Sequence, residues 1–113
     1  MSAARELVEG TSNKVGWVEF LIPLIPVFAE VLQQILEECA NTEDDAVALV
    51  TDPTPLQAML GHRRIVKAMR ANGVPRKGRR AVAWSVFHDV VAEAQANEDL
   101  VVKAYKESCE VCG

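Results

Sequence analysis

The sequence contains few of the residues that dominate disulfide-stabilised, collagen-like or disordered chains. Its 113 residues include three cysteines, six glycines and five prolines, and only 5% of them are aromatic. Half of the chain is nevertheless apolar and 25% is charged, as in ordinary globular domains. Because this length suits one hydrophobic core, we predict a single domain over residues 1–113.

A secretory leader and a long apolar run are also missing. Residues 1–10 hold no basic cluster followed by an apolar segment, which a signal peptide requires. The most apolar stretch covers only residues 20–29, whereas a membrane-spanning helix needs about 20 apolar residues. An odd number of cysteines favours reduced thiols. We therefore expect a cytoplasmic protein without a membrane partner.

Apolar residues recur at helical spacing, and caps and prolines separate the segments. The clearest helix covers residues 26–40 and presents apolar side chains on one side. Thr42 is predicted to cap a short helix over 43–50. Thr54 and Gln57 have the spacing of a capping box, which predicts a helix that ends at the left-handed stop Gly73.

Three further parts of the chain have weaker signals. Residues 1–12 are predicted to form a flexible or short helical arm, in which a helix capped by Ser2 ends at Gly10. A turn and a helix over 14–22 follow, although the valine-rich residues 15–20 could also form a short strand. Residues 79–108 form either one helix or two, with Asn97 as the cap of a separate last helix. Residues 109–113 are predicted to fray. The fold class is therefore all-α, a compact bundle of four to six helices whose core contains the 26–40 helix and the apolar face of 83–105.

Charge is distributed unevenly, although the formal net charge is only −4. Residues 61–80, named here the basic segment, contain eight of the twelve basic residues and no acidic residue. The rest of the chain holds four basic and all sixteen acidic residues. The candidate polyanion-binding residues are Arg63, Arg64, Lys67, Arg70, Arg76, Lys77, Arg79 and Arg80.

Helical spacing places some of these cations together. In the first turns of the helix capped by Thr54, Leu56, Met59 and Leu60 are expected to set the apolar face. Arg63, Lys67 and Arg70 follow on the same azimuth, so we expect a basic ridge beside the buried face. Arg79 and Arg80 lie where a helix N-terminus disfavours cations. An anion bound at this corner would make the arrangement favourable.

Two functions fit this charge pattern. The first is a non-enzymatic protein whose basic helix–loop–helix segment, 63–80, contacts nucleic-acid backbone or another polyanion. The connecting loop is too long for a standard helix-turn-helix, and scarce aromatics disfavour single-strand recognition. The alternative is a structural or adaptor subunit whose basic segment meets an acidic protein surface. The cations are also neutralised if acids elsewhere, especially Glu43, Asp44, Asp45 and Asp52, fold against them.

No group of residues supports catalysis, a cofactor or a small-molecule substrate. Cys109 and Cys112 have C-x-x-C spacing, but zinc normally takes four ligands, and only Cys39, His62 and His88 could complete the site. We therefore predict no metal, and Cys39 is interpreted as a small buried apolar residue. His88 and Asp89 are adjacent on a helix and point about 100° apart, which disfavours a catalytic pair.

The apolar N-terminal third is a candidate interface. It concentrates aromatic residues in residues 17–28, and such a stretch is either core or a surface buried against a second subunit. We expect a homo-oligomer as readily as a monomer. The candidate interface residues are Trp17, Phe20, Leu24 and Phe28.

Overall fold

The computed structural model describes the backbone of residues 2–112, and their side chains except those of residues 15 and 110–112. Within this range the chain forms six α-helices and no strand, which confirms the all-α bundle. A 3₁₀ helix, Glu19–Leu24, directly precedes the second α-helix. The α-helices are α1 (Ala3–Val15), α2 (Ile25–Cys39), α3 (Glu43–Thr51), α4 (Pro55–Ala71), α5 (Arg79–Ala96) and α6 (Glu98–Cys112).

The predicted caps of α3 and α4 are confirmed. The Thr42 hydroxyl accepts a hydrogen bond from the Asp45 amide at 3.1 Å. At α4 the Gln57 amide donates to Thr54 Oγ1, and the Thr54 amide donates to Gln57 Oε1, which completes the capping box. Gly73, with φ +79°, follows the end of α4 in the left-handed region, as predicted.

The prediction for the N-terminal region is wrong in its helix boundaries. α1 continues through Gly10 and ends at Gly16, whose φ is +68°. The hydroxyls of Thr11 and Ser12 donate to carbonyls of the preceding turn, so the helix accommodates both residues. The predicted helix over 14–22 is not formed: residues 14 and 15 end α1, the chain turns at Gly16, and the 3₁₀ helix begins at Glu19.

α1 is also part of the core rather than a separate arm. Ala3, Ala4, Leu7 and Val8 are all 0% exposed. They contribute to contacts that join α1 with α2, α5 and α6. A helix with this many buried positions gains its stability from tertiary packing.

Residues 79–108 form two helices. Asn97 separates α5 from α6, and its Nδ2 donates to the Glu93 carbonyl at 3.2 Å and to Glu93 Oε1 at 2.8 Å. Asn97 holds the predicted cap position before α6, since its carbonyl oxygen accepts from the Val101 amide at 3.3 Å, while its side chain bonds back to α5. The predicted frayed tail begins inside α6, whose backbone reaches Cys112, while residue 113 lies outside the described residues.

α2 contacts α1, α3, α4 and α6, and α4 packs on one side of the bundle. α5 contacts α1, α3 and α4, and α6 contacts α1, α2 and α3. On the apolar face predicted for 83–105, Ala83, Ala94, Val101 and Tyr105 are buried, whereas Phe87, Val90 and Val91 are only partly buried. α4 contacts only α2 and α5 extensively within the described chain, so much of its surface faces solvent.

A buried carboxylate links α1 to α5. Glu93 is 8% exposed and accepts a hydrogen bond from Asn97. Glu93 Oε2 lies 3.0 Å from Lys14 Nζ, and the Glu93 side chain packs directly against Gly10. A Cβ atom on residue 10 would lie 2.8 Å from Glu93 Oε1. Gly10 therefore provides space for this salt bridge and does not end the helix.

One segment of the fold meets the length and composition criteria for a membrane span. Glu19–Cys39 has 21 residues and a mean hydropathy of 1.5 in its most apolar window. The expectation that the apolar stretch is too short to span a membrane is therefore wrong by these criteria. A core helix meets the same criteria, and 39% of this window is buried inside the fold.

Candidate nucleic-acid interface

α4 presents one face to the core and the opposite face to solvent. Gly61, Ile65 and Met69 are buried at four-residue spacing. Leu56, Met59 and Leu60 are 69%, 53% and 42% exposed. Arg63, Lys67 and Arg70 continue this exposed face along the second half of α4. The basic ridge is exposed, but it lies opposite the buried face rather than beside it, because Gly61, Ile65 and Met69 contact the core instead of the apolar residues in the first turns.

The connection from α4 to α5 has a defined conformation. The Val74 amide donates to the Met69 carbonyl, and the Gly73 amide donates to the Arg70 carbonyl, as in a Schellman motif. Val74 is 8% exposed and anchors the connection to the core. The Arg79 amide then donates to the Arg76 carbonyl at 3.2 Å. Arg76 and Lys77 are exposed on this ordered turn.

Salt bridges neutralise very little of the basic segment. Arg64 pairs with Glu38 of α2, and its side chain is 35% exposed. Across the described side chains, the other seven cations of the segment form no salt bridge. Six of these seven are exposed, and the seventh, Arg79, is partly buried with its Nε 3.5 Å from the Pro75 carbonyl oxygen. The structure thus removes Arg64 from the group of free cations.

The four acids that could neutralise the basic segment, Glu43, Asp44, Asp45 and Asp52, do not fold against it. Glu43 pairs with Lys106 of α6 at 3.3 Å. Among the side chains that the structure describes, Asp44, Asp45 and Asp52 form no salt bridge with the segment. Intramolecular neutralisation by these four acids is therefore not observed in the folded chain.

The N-terminus of α5 lies within the same surface. Its N-cap is Gly78, with φ +76°, so no side chain caps the first amides. Arg79 and Arg80 occupy the first turn, which contains no acidic residue. The helix dipole and both guanidinium groups consequently present positive charge at one corner.

An aromatic cluster lies beside these cations, and sequence reasoning missed it. The rings of His62 and Trp84 stack with centroids 4.0 Å apart and planes 14° apart. His88 lies 5.7 Å from Trp84 at 24°. His62 Nε2 is 3.0 Å from the Arg80 carbonyl oxygen, which fixes α4 against the first turn of α5. The sequence does place Arg80, Trp84 and His88 at four-residue spacing, which indicates that they share one side of α5.

A surface groove separates α4 from α5 at this cluster. Its volume is about 320 Å³. The stacked rings of His62 and Trp84 form part of its wall, and the side chains of Arg63 and Arg80 also line it. Met59 and Val66 complete the lining with apolar surface. The groove therefore combines aromatic, apolar and cationic surfaces in one place.

The predicted interface residues do not form one exposed surface. Leu24 and Phe28 are 8% and 3% exposed and belong to the core, which corrects that part of the prediction. Trp17 is partly buried, packs edge-on against Phe28 at 5.7 Å, and donates from Nε1 to Asp89 Oδ2 at 3.2 Å. Phe20 is 52% exposed, and its exposed neighbours are Val18 and Ile22.

The cysteine residues do not come together as metal ligands. Cys39 is exposed rather than buried, because it is the last residue of α2 and Ala40 takes the buried position after it. Cys109 is exposed beside Tyr105, and a hydrogen bond between the two side chains raises the pKa of the tyrosine. The Cys112 side chain lies outside the described residues. Within the described side chains, no three metal-ligating groups cluster.

A scan of protein-family models, a search of curated proteins and a search of solved structures return no match to this chain. Function is therefore inferred from the geometry of the residues described above.

Proposed function

We propose that this protein binds nucleic-acid backbone through the basic segment and catalyses no reaction. The observation that supports this function is the group of seven cations that have no salt bridge among the described side chains. Phosphate groups are their natural partners, because each bound phosphate neutralises a cation and releases counterions. We place this activity in the cytoplasm, with no cofactor and no small-molecule substrate.

The electrostatic repulsion among these cations favours a bound polyanion. Like charges at helical spacing on α4 repel by about 0.2–0.5 kcal/mol per pair. Arg79 and Arg80 oppose the dipole of α5 by about 0.3–1 kcal/mol each. Since the Schellman turn and the α4–α5 contacts hold these charges in place, the fold tolerates repulsion that a phosphate backbone would relieve.

Adjacent arginines of α4 provide a matched test. Arg63 is exposed and has no salt bridge among the described residues, whereas Arg64 is paired with Glu38. We expect Arg63→Gln to weaken binding of the full chain to a fluorescent 20-base-pair duplex several-fold, measured by anisotropy at about 50 mM salt. Arg64→Gln should change the affinity less than about twofold, because its cation is already partnered.

Lys103→Gln supplies the control for net charge. Lys103 is exposed on α6, outside the basic segment, and its removal changes the formal charge by the same amount. Equal losses for Arg63→Gln and Lys103→Gln would show that only the overall charge matters, and would contradict binding by the segment. No binding of the wild-type chain to duplex or single-stranded nucleic acid at this salt concentration would exclude the proposed function.

A second candidate function is that of an adaptor subunit that meets an acidic protein surface. The observation that favours it is the exposed face of α4, on which Leu56, Met59 and Leu60 continue into Arg63 and Lys67. A charged nucleic-acid backbone would not bury these apolar residues, whereas protein interfaces bury such residues at their centres. Head-to-tail self-association, in which this face meets the acidic surface of the next copy, would give a homo-oligomer.

Sedimentation velocity over a range of protein concentrations separates this candidate from the first. Self-association that weakens both with added salt and with Leu56→Ser would support the adaptor function. A monomer whose sedimentation is independent of concentration and salt would count against self-association.

A further inference from the structure

The groove between α4 and α5 offers a more specific ligand than a phosphate backbone. We infer that it holds an unpaired base of single-stranded nucleic acid, while Arg63 and Arg80 contact the phosphates on either side of that base. This inference rests on the proposed function, because it assigns a role to a groove within the same surface. It also replaces the sequence-based expectation that single-strand recognition is disfavoured.

The aromatic wall has the chemistry that a base requires. Trp84 is partly buried and is held by His62 at 4.0 Å, by His88 at 5.7 Å and by Phe87 at 5.8 Å. Because His62 covers part of the indole, the base would contact the part of the His62–Trp84 pair that lines the groove, and neither ring needs to be ordered when a ligand arrives. Nucleobases bind aromatic side chains through their π faces, and this contact tolerates every base. Met59 and Val66 add apolar surface to the same groove.

The two arginines distinguish this groove from an ordinary apolar cleft. Arg63 reaches it from α4 and Arg80 from the first turn of α5, so cations from both helices line the space around the rings. Both are exposed, and neither has a salt bridge among the described residues. A nucleotide carries an aromatic base beside a phosphate and therefore matches both parts of the lining.

Duplex nucleic acid fits this groove less well. Bases in a duplex are stacked on their neighbours, and exposing one of them costs unpairing and unstacking energy. The groove volume of about 320 Å³ lies at the small end of ligand-site volumes, which suits a single nucleotide. Single strands should therefore bind more tightly than duplexes that carry the same number of phosphates.

The test compares a twelve-residue oligothymidylate with an abasic strand of the same length, which has the same phosphates and no bases. We expect the wild-type chain to bind the oligothymidylate about tenfold more tightly than the abasic strand. Trp84→Leu should lower the affinity for oligothymidylate to that of the wild-type chain for the abasic strand. Trp17→Phe, which changes the tryptophan outside the groove, should retain the preference.

Tryptophan fluorescence provides a second readout that needs no variant. Oligothymidylate should quench the emission of the wild-type chain, and the abasic strand at equal saturation should not. Equal affinities for the two strands, with no difference in quenching, would overturn the groove assignment while the proposed function stands. No binding of either strand or of a duplex would exclude the proposed function, and the groove assignment with it.

Discussion

Single residues in this fold differ sharply in how their charges are compensated. Glu93 is buried, and its carboxylate depends on Lys14 and Asn97, which reach it from α1 and from the end of α5. Arg63, by contrast, is exposed and has no salt bridge among the described residues. A buried carboxylate requires its partners for stability, whereas an exposed cation without an internal partner is available to a ligand.

Lys14→Met should destabilise the fold by about 1–2 kcal/mol, because it leaves the Glu93 carboxylate buried without its cation. Lys14 is itself 61% exposed, so the loss is smaller than for a fully buried pair. Adding Glu93→Gln to Lys14→Met should recover part of the loss, because a neutral amide is less costly to bury. Urea unfolding of the single and double variants measures both effects.

Arg5→Met on the same helix is the control for this cycle. Arg5 pairs with Glu9 at 2.8 Å, but both side chains are substantially exposed. Its loss should cost at most about 0.5 kcal/mol. Equal costs for Lys14→Met and Arg5→Met would show that burial of Glu93 does not determine the energy of its salt bridge.

Helix ends that are set by residues nearby in the sequence were predictable from the sequence alone. Thr42, Thr54 and Gly73 act within one turn of their own helix ends, so their residue types were sufficient. Gly10 was misassigned because its small size matches a side chain from α5, which is distant in sequence. The segregated cations were likewise visible in the sequence, but the stacking of His62 on Trp84 requires the register between α4 and α5.

Thr54→Ala should lower the free energy of unfolding by about 1 kcal/mol, since it removes the side-chain acceptor of the capping box. Thr54→Ser retains the hydroxyl and should stay within a few tenths of the wild-type value. Thermal or urea unfolding compares the two variants. An equally large loss for the serine variant would contradict the assigned hydrogen bond.

Gly61 permits a close contact between α4 and Phe87 of α5. A Cβ atom at this position would lie 2.7 Å from Phe87 Cε1. Gly61→Ala should therefore destabilise the fold by about 1–3 kcal/mol through overpacking. Adding Phe87→Leu should recover part of that loss. A neutral or stabilising Gly61→Ala, measured by urea unfolding, would show that Phe87 moves aside freely.

At the scale of the whole molecule, the six α-helices of the described chain place the basic segment on one side of an acidic bundle. The formal charge of −4 hides this asymmetry, because the basic segment contributes eight positive charges and no negative one. α4, α5 and the turn between them carry these cations, and backbone hydrogen bonds hold that turn in place. Localised charge on a rigid surface favours binding to a polyanion despite the net negative charge.

The salt dependence of binding to a nucleic-acid duplex tests this account most directly. Each neutralised phosphate contributes about −0.9 to the slope of log K against log salt concentration. Contacts from four or more of the seven cations that lack a salt bridge among the described side chains predict a slope of about −3.6 or steeper for the wild-type chain. Arg63→Gln should make this slope shallower by about 0.9, whereas Lys103→Gln should leave it unchanged. A wild-type slope near zero, or no binding at about 50 mM salt, would contradict the assignment of the basic segment as a nucleic-acid interface.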